Sequence, residues 1–330
     1  MKPEEGEPEK DAEAQLALGR RLMIAEGVER EAAQGARLIE QACAGGSAEA
    51  AATMAAFAAM GAGRPQNWEQ AFDYLLIAAQ RGSGAARGQL ALLGRDPGLA
   101  AEAQRGEPEA ADLWKRLRAG VDVAGLTAAP ERRPISETPR VRVIEGFATA
   151  AECDWAVAVA KDRLSRAAIL DPGSGEKKSH PDRTNSAMGF EAVDMDVVIQ
   201  VLRARIAAVS NLPVPVFEPA QIMHYSVGQE FRPHFDYMDP QTPGGRQELG
   251  RFGQRIATFL LYLNDDFEGG ETEFPRAGIR YRGRKGDALL FGNVDGAGRP
   301  DPLTLHAGRP PSRGEKWILS QWIRDRSPGA

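Results

Sequence analysis

Two cysteines and four histidines are all that the 330 residues provide. Cys43 and Cys153 lie far apart and match neither a disulfide framework nor a metal-ligand spacing, which points to a reducing cytosol. No window approaches 18 uninterrupted apolar residues, so no membrane-spanning helix is expected. The opening stretch, Met1 to Glu7, lacks the apolar core of a signal peptide. Neither charge sign dominates: 41 Lys plus Arg stand against 46 Asp plus Glu, a net charge of −5. That balance argues against a general nucleic-acid or anionic-membrane binder. With 42% apolar and 26% charged residues the chain is not disordered throughout, and its length leaves room for two domains. The expectation is a soluble, cytoplasmic protein with no nucleic-acid and no membrane partner.

What is present falls into two halves with different grammar. Residues 12 to 94 are rich in alanine and repeat themselves: Ala12-Glu13-Ala14 recurs as Ala48-Glu49-Ala50 and more weakly as Gly84-Ala85-Ala86. Gly46 and Gly82 stand 36 residues apart, each closing an apolar helical stretch. A fixed period with two helices per unit is the mark of a helical solenoid. Gly27, Gly46, Gly63 and Gly82 sit where helices should end. One further helix is expected over 101–118, carrying Leu113, Trp114 and Leu117. Ala128 through Pro139 then reads as an extended, proline-punctuated linker. From Val141 onward, β-branched and aromatic residues appear in short runs between Gly and Pro, the grammar of an all-β sandwich or barrel. Two helices support those strands, one capped by Thr149 with Glu152 three residues on, the other over about 194–206. The expected layout is thus α+β and multidomain: helical repeats over 1–118, a linker over 119–140, and a β-rich domain over 141–330. The glycine pairs at 244–245 and 269–270 read as turns, because no strand–helix context makes either a phosphate loop.

The chemistry gathers around two histidines. His234 stands in Phe231-Arg232-Pro233-His234-Phe235-Asp236-Tyr237. Residues i and i+2 of a strand share a face, so His234 and Asp236 can grip one ion. His306 follows in Leu305-His306-Ala307-Gly308. Two imidazoles and one carboxylate on one side of a metal leave three positions open, as in non-haem Fe(II) oxygenases. A lone His-x-Asp is common by chance; its surroundings decide. Residues 309–315 read as a turn, after which Lys316 opens an apolar strand and shares a face with Trp322. Burying that ammonium is costly unless an anion meets it. Tyr225 and Thr258 could add hydroxyls to the same anion, which suggests a pocket for a dicarboxylate. His180 and His224 read as surface or core histidines.

These segments carry a resemblance. Tyr225-Ser226-Val227-Gly228-Gln229, His234-Phe235-Asp236, Arg255 through Asn264, Gly269-Gly270-Glu271-Thr272, Lys285 through Phe291, Leu305-His306-Ala307-Gly308 and Gly314-Glu315-Lys316-Trp317 resemble the prolyl 4-hydroxylase branch of the 2-oxoglutarate- and Fe(II)-dependent dioxygenases, over roughly residues 141–325. The first half resembles Sel-one-like repeats, relatives of the tetratricopeptide repeat, in Leu18-Gly19, Gly27-Val28 and Ala78-Ala79-Gln80-Arg81-Gly82. The resemblance implies a double-stranded β-helix, or jelly roll, after a helical-repeat solenoid. It implies that His234, Asp236 and His306 ligate Fe(II) and that Lys316 pairs with the C5 carboxylate of 2-oxoglutarate, with Tyr225 and Thr258 as donors and Trp322 as a wall. Fe(II), 2-oxoglutarate and O2 follow as cofactor and co-substrates, with ascorbate as a candidate reductant. The implied reaction hydroxylates an aliphatic C–H and releases succinate and CO2.

Two segments, 171–186 and 239–254, read as mobile loops near such a site. Arg183-Thr184-Asn185-Ser186 resembles the Arg-Thr-Ser element of prolyl hydroxylases, which makes Arg183 the candidate substrate contact. Three functions stay open at this point: hydroxylation of a protein or peptide at proline, with the repeats contacting it; the same chemistry on a free amino acid or small metabolite; and a non-catalytic repeat adaptor with a metal-binding jelly roll.

Overall fold

The structure is a computed structural model that describes residues 7–62, 64–105, 111–170, 173 and 176–327. It mixes helix and sheet and divides into two compact units. One comprises residues 1–128 with 190–203, the other 129–189 with 204–330.

The first unit is helical and periodic. Helices Ala32–Ala44 and Ala48–Met60 are followed by Trp68–Gln80 and Gly84–Leu93, so each start recurs 36 residues on. Ser47 and Ser83 cap the second helix of each pair, their hydroxyls accepting from the amides of Ala50 and Ala86 at 3.0 and 3.3 Å. Gly46 and Gly82 precede them at φ 103° and 100°. Helix Ala48–Met60 ends at Gly61, and the expected terminator Gly63 lies outside the described residues. Alanine dominates the interior: Ala50, Ala55, Ala56, Ala58, Ala59 and Ala71 are fully buried beside Phe57, Phe72 and Leu75. Between helices Glu7–Ile24 and Ala32–Ala44 two glycines face each other closely. A Cβ on Gly19 would stand 2.8 Å from the Gly35 carbonyl oxygen, and one on Gly35 would stand 2.6 Å from that of Gly19.

Where one helix is expected over 101–118 there are two, Pro97–Gln104 and Ala111–Ala119. Residues 106–110 of the expected helix lie outside the described residues. Residues 190–203 join this unit despite their place in the chain. Arg20 donates to the Val193 carbonyl at 3.0 Å, and the Val197 amide donates to Gln89 Oε1 at 2.9 Å. The second supporting helix runs Val197–Ser210, with Val198, Leu202 and Ile206 all fully buried.

The segment expected as a linker is structured at both ends. Asp122 caps a short helix, Val123–Thr127, by accepting from the Gly125 amide at 3.0 Å. Arg133–Glu137 is a strand at the edge of the sheet, where Pro134 sits at a position tolerant of its missing N–H.

Two sheets organise the second unit. The larger has eight strands in the order 133–137, 140–144, 288–292, 255–262, 316–324, 221–225, 186–189 and 165–166, paired antiparallel throughout. The smaller has four: 279–281, 272–274, 306–308 and 231–234. Alternation along the large sheet turns Val141, Val143, Met223, Leu260, Leu289, Phe291 and Ile318 into one buried cluster with Phe274 of the small sheet. The opposite face meets helix Ala150–Ala160. There Phe147 lies 4.7 Å from Phe259, and the capping box of Thr149 and Glu152 forms as expected. Glu152 also pairs with Arg205 at 2.9 Å, both side chains buried.

Several local readings change. Residues 309–315 are not a plain turn, because Pro311–Arg313 pairs with Glu268–Gly269. Gly244 and Gly245 lie in helix Pro243–Phe252, which Thr242 caps, so 239–254 is largely helical. Within 171–186, residues 171, 172, 174 and 175 lie outside the described residues, and Lys177–Ser179 pairs with Ala168–Leu170. Among the described residues no helix is long and apolar enough to cross a membrane.

Candidate active site

His306 lies directly opposite His234 in the ladder of the small sheet. His234 is the last residue of its strand and His306 the first of its own, so Asp236 reaches the pair from the loop beyond the strand rather than from within it. Asp236 Oδ1 stands 3.6 Å from His234 Nε2, and Oδ2 stands 3.4 Å from His306 Nε2. Among the described residues these three form the one group of metal-capable side chains within 4.8 Å of one another.

Proton positions follow from the neighbours. His234 Nδ1 meets the Arg232 carbonyl at 2.8 Å and His306 Nδ1 meets the Thr304 carbonyl at 2.9 Å. A carbonyl only accepts, so each Nδ1 carries a proton and each Nε2 is turned toward Asp236. Burial, helped by His306, lowers His234 to about 4, so it is neutral at physiological pH. Burial would raise the Asp236 carboxyl, yet His306 and His234 together hold it well below its usual range. Two imidazoles that turn their Nε2 atoms inward and one carboxylate suit a divalent transition metal such as Fe(II).

Next to this group a cavity opens between the sheets. Its lining includes Tyr225, Phe231, Thr272, Lys316, Ser320 and Trp322. Phe231 stacks on His234 with ring centroids 3.4 Å apart. Lys316 opens strand Lys316–Arg324 opposite Tyr225 and is 1% exposed. Burial lowers its ammonium to about 7, against a weaker through-space attraction from Glu271. Its Nζ lies 5.1 Å from the centre of the Tyr225 ring. Burial pushes the Tyr225 hydroxyl up to about 12, so it remains a neutral donor. Gly270 makes room at this end: at φ 69° its own Cβ would meet the Phe267 ring at 2.8 Å and the Lys316 stem at 3.3 Å.

Thr272 is the residue that sequence reasoning passed over. It lines the cavity beside Lys316, its hydroxyl 2.8 Å from that of Tyr262. A hydroxyl two positions beyond the Gly269-Gly270 pair, in a segment already marked by resemblance, was the signal available.

Thr258 is not where it was expected. It pairs opposite Trp322, six residues along the strand from Lys316, which at ~3.3 Å per residue sets it roughly 20 Å from the lysine. Its hydroxyl is spent on Asp236 Oδ2 at 2.7 Å. Trp322 does line the cavity, with the Arg255 guanidinium 3.8 Å above its ring. Arg183 does not line it. The side chain is 3% exposed and donates to the Ala168 carbonyl at 2.8 Å and to Asn185 at 3.2 Å, while stacking on Phe231 at 4.7 Å. His180 and His224 lie apart from the group.

Comparison with known proteins adds to this geometry. Residues 220–324 match the 2OG-Fe(II) oxygenase superfamily. Probable prolyl 4-hydroxylase 4 of Arabidopsis thaliana is 37% identical over 212 residues, covering 58% of this chain and 69% of that protein. Probable prolyl 4-hydroxylase 10 of the same plant is 33% identical over 243 residues, covering 66% and 81%. A viral collagen prolyl hydroxylase of Paramecium Bursaria Chlorella virus-1, solved as its 2OG complex, is 28% identical with a TM-score of 0.42, covering 56% of this chain and 94% of that one. With relatives of that identity matched over more than two thirds of their length, the chain belongs to the prolyl 4-hydroxylase-like 2OG-Fe(II) oxygenases, dioxygenases that use Fe(II), 2-oxoglutarate and O2.

Proposed function

We propose that His234, Asp236 and His306 hold the iron, that Lys316 with Tyr225 and Thr272 holds the far carboxylate of 2-oxoglutarate, and that a prolyl residue of a protein or peptide is hydroxylated. The observation that carries the reading is one cavity bounded by both sets: a His-Asp-His group at one side and a buried lysine at the other. A buried ammonium with no close carboxylate among the described residues calls for an anionic ligand. Prolyl 4-hydroxylase relatives support proline as the target. When bound, iron and 2-oxoglutarate together activate O2, placing one oxygen atom in the substrate C–H bond and the other in succinate as CO2 is lost.

The chain supplies the rest. Backbone carbonyls at Arg232 and Thr304 fix both imidazole tautomers, so ligand atoms are aimed before metal arrives. Lys316, neutral for part of the time near pH 7 when free, is protonated against a carboxylate, with the Tyr225 hydroxyl adding a hydrogen bond. Trp322, held by Arg255, and Phe231, held by Arg183, form apolar walls that exclude water from the reacting face. Arg183 then acts on substrate through the Phe231 ring rather than by direct contact.

The same reading takes the two sheets as the halves of a double-stranded β-helix, residues 141–330 as the catalytic domain, and residues 1–118 as a short Sel-one-like solenoid. Support for the solenoid is the 36-residue recurrence of helices and caps. A protein substrate suits that unit, since stacked repeats offer an extended contact surface.

The test is anaerobic loading with Fe(II) and 2-oxoglutarate, then O2 with a proline-rich peptide. Succinate and a peptide heavier by one oxygen atom on proline are expected, and both are absent with His234→Ala. Succinate formation with oxygen found only on a free amino acid would overturn the choice of substrate.

A further inference from the structure

Asp236 has a neighbour chain of its own that the reaction described above does not use. Thr258 Oγ1 stands 2.7 Å from Asp236 Oδ2, and Asn293 Nδ2 stands 2.9 Å from Thr258 Oγ1. Thr258 and Asn293 are fully buried and Asp236 is 3% exposed. An ionised carboxylate only accepts, so the threonine hydroxyl must donate to it. The threonine lone pair then needs a donor, which fixes the Asn293 amide with its nitrogen forward. Asn293 Oδ1 is left with no partner among the described residues. An orphaned buried amide oxygen is unfavourable, and it accompanies an amide held in place for the sake of its N–H.

The main chain of Asn293 is pinned as well. Its amide donates to the Ile256 carbonyl at 2.8 Å, and its carbonyl accepts from Asp301 at 3.1 Å. The Asp301 carbonyl accepts from the Thr304 hydroxyl at 2.7 Å, and the Thr304 carbonyl receives His306 Nδ1–H at 2.9 Å. One residue is therefore tied by its side chain to Asp236 and by its backbone to the segment that orients His306.

We propose that Asn293 and Thr258 form a relay that orients the Asp236 carboxylate toward the metal, with Oδ2 occupied by Thr258 and Oδ1 left for a single bond to the ion. Both are positioning residues. The inference rests on the reading of Asp236 as a ligand and replaces the expectation that Thr258 serves 2-oxoglutarate. A one-oxygen bond keeps open coordination positions for the keto acid and O2.

The test uses the full chain freed of metal and titrated with Co(II), followed by d–d absorption and calorimetry, and then with 2-oxoglutarate at saturating Co(II). Thr258→Val keeps the shape and removes the hydroxyl; Thr258→Ser restores it; Asn293→Leu removes the amide donor. Co(II) affinity falls about tenfold to a hundredfold in Thr258→Val, and by a lesser factor in Asn293→Leu. Thr258→Ser stays within about threefold of the parent, and 2-oxoglutarate affinity at saturating metal is unchanged in all three. Thermal melts of the metal-free chains separate folding loss from ligand loss. If Thr258→Val does not fold, the other two variants decide: Thr258→Ser must bind Co(II) like the parent and Asn293→Leu more weakly. Unchanged Co(II) affinity in Thr258→Val, or a loss confined to 2-oxoglutarate, overturns the relay while leaving the metal site intact. Equal Co(II) binding by the parent and Asp236→Ala overturns the metal site and the relay together.

Discussion

The helical unit and the sheet unit are built on opposite principles. In the first, apart from the 190–203 segment, neighbours in sequence are neighbours in space, and fully buried alanines let helices close on one another with little chemistry inside. In the second, the site draws on strands at 221–225, 231–234, 272–274, 306–308 and 316–324. Periodic sequence yields a surface; convergent sequence yields a pocket with buried charge. A substitution in the first should therefore register as stability, and one in the second as ligand affinity or rate.

The sharpest way to break that contrast is to pair two buried positions. His234→Ala should lower succinate formation by about a thousandfold or more, since the proposed iron ligand is removed. Met54→Ala, at a helical position 1% exposed, should lower the melting temperature with an initial rate at 20 °C within about twofold of the parent. Single-turnover succinate release and a thermal melt on both variants decide it. A large rate loss in Met54→Ala would show that the helical unit takes part in turnover.

Next in size is Lys316→Ala, expected to raise the apparent KM for 2-oxoglutarate on the order of a hundredfold while kcat at saturation changes less. The parent should also show a pH dependence with a definite sign. Free Lys316 sits at about 7 because it is buried, and a bound carboxylate raises it. Affinity for 2-oxoglutarate is then full below pH 7 and weakens by up to about tenfold per unit above it. Calorimetry from pH 6 to 9 checks this, and Lys316→Ala should flatten the profile.

How much of this was legible differs between the units for a physical reason. His234, Asp236 and Lys316 could be picked out because each stands in a short segment whose chemistry is local. Strand alternation correctly put Lys316 and Trp322 on one face, since a period of two survives any fold. What alternation cannot give is depth. Thr258 faces inward as expected, yet its register opposite Trp322 carries it to Asp236 and away from Lys316. Asn293 became visible only once the sheets were paired, and Gln89 gave no hint in sequence that it would receive the Val197 amide. In the helical unit the period of 36 was open to reading because stacking repeats use the same caps twice. The single helix expected over 101–118 rested on Leu113, Trp114 and Leu117, which all fall within helix Ala111–Ala119 and carry no information about the residues before it.

A smaller effect is expected at the glycine contact between the first two helices. Gly19→Ala should destabilise the chain by about 1–3 kcal/mol, because its methyl would press on the Gly35 carbonyl oxygen and on Ile39 Cγ1, each at 2.8 Å, and the backbone atom cannot turn aside. Helix propensity alone predicts the reverse sign, since alanine outranks glycine by about 1 kcal/mol. Chemical denaturation distinguishes the two, and a stabilised variant would mean that the helices can separate without loss.

The smallest contrast lies between two serines that the repeat makes equivalent. Ser47 and Ser83 cap matching helices and stand at matching positions. Replacing either with alanine removes a cap worth about 1 kcal/mol. Ser83, however, also donates to Glu49 Oε1 at 2.7 Å, a bond that reaches back to the preceding repeat, whereas Ser47 has only its cap to lose. Ser83→Ala should therefore cost more than Ser47→Ala by a few tenths to about 1 kcal/mol, and the excess should vanish in a Glu49→Ala background. A double-mutant cycle in urea measures it. Equal costs in both backgrounds would mean that the repeats are alike in energy as well as in sequence, with the inter-repeat bond contributing nothing.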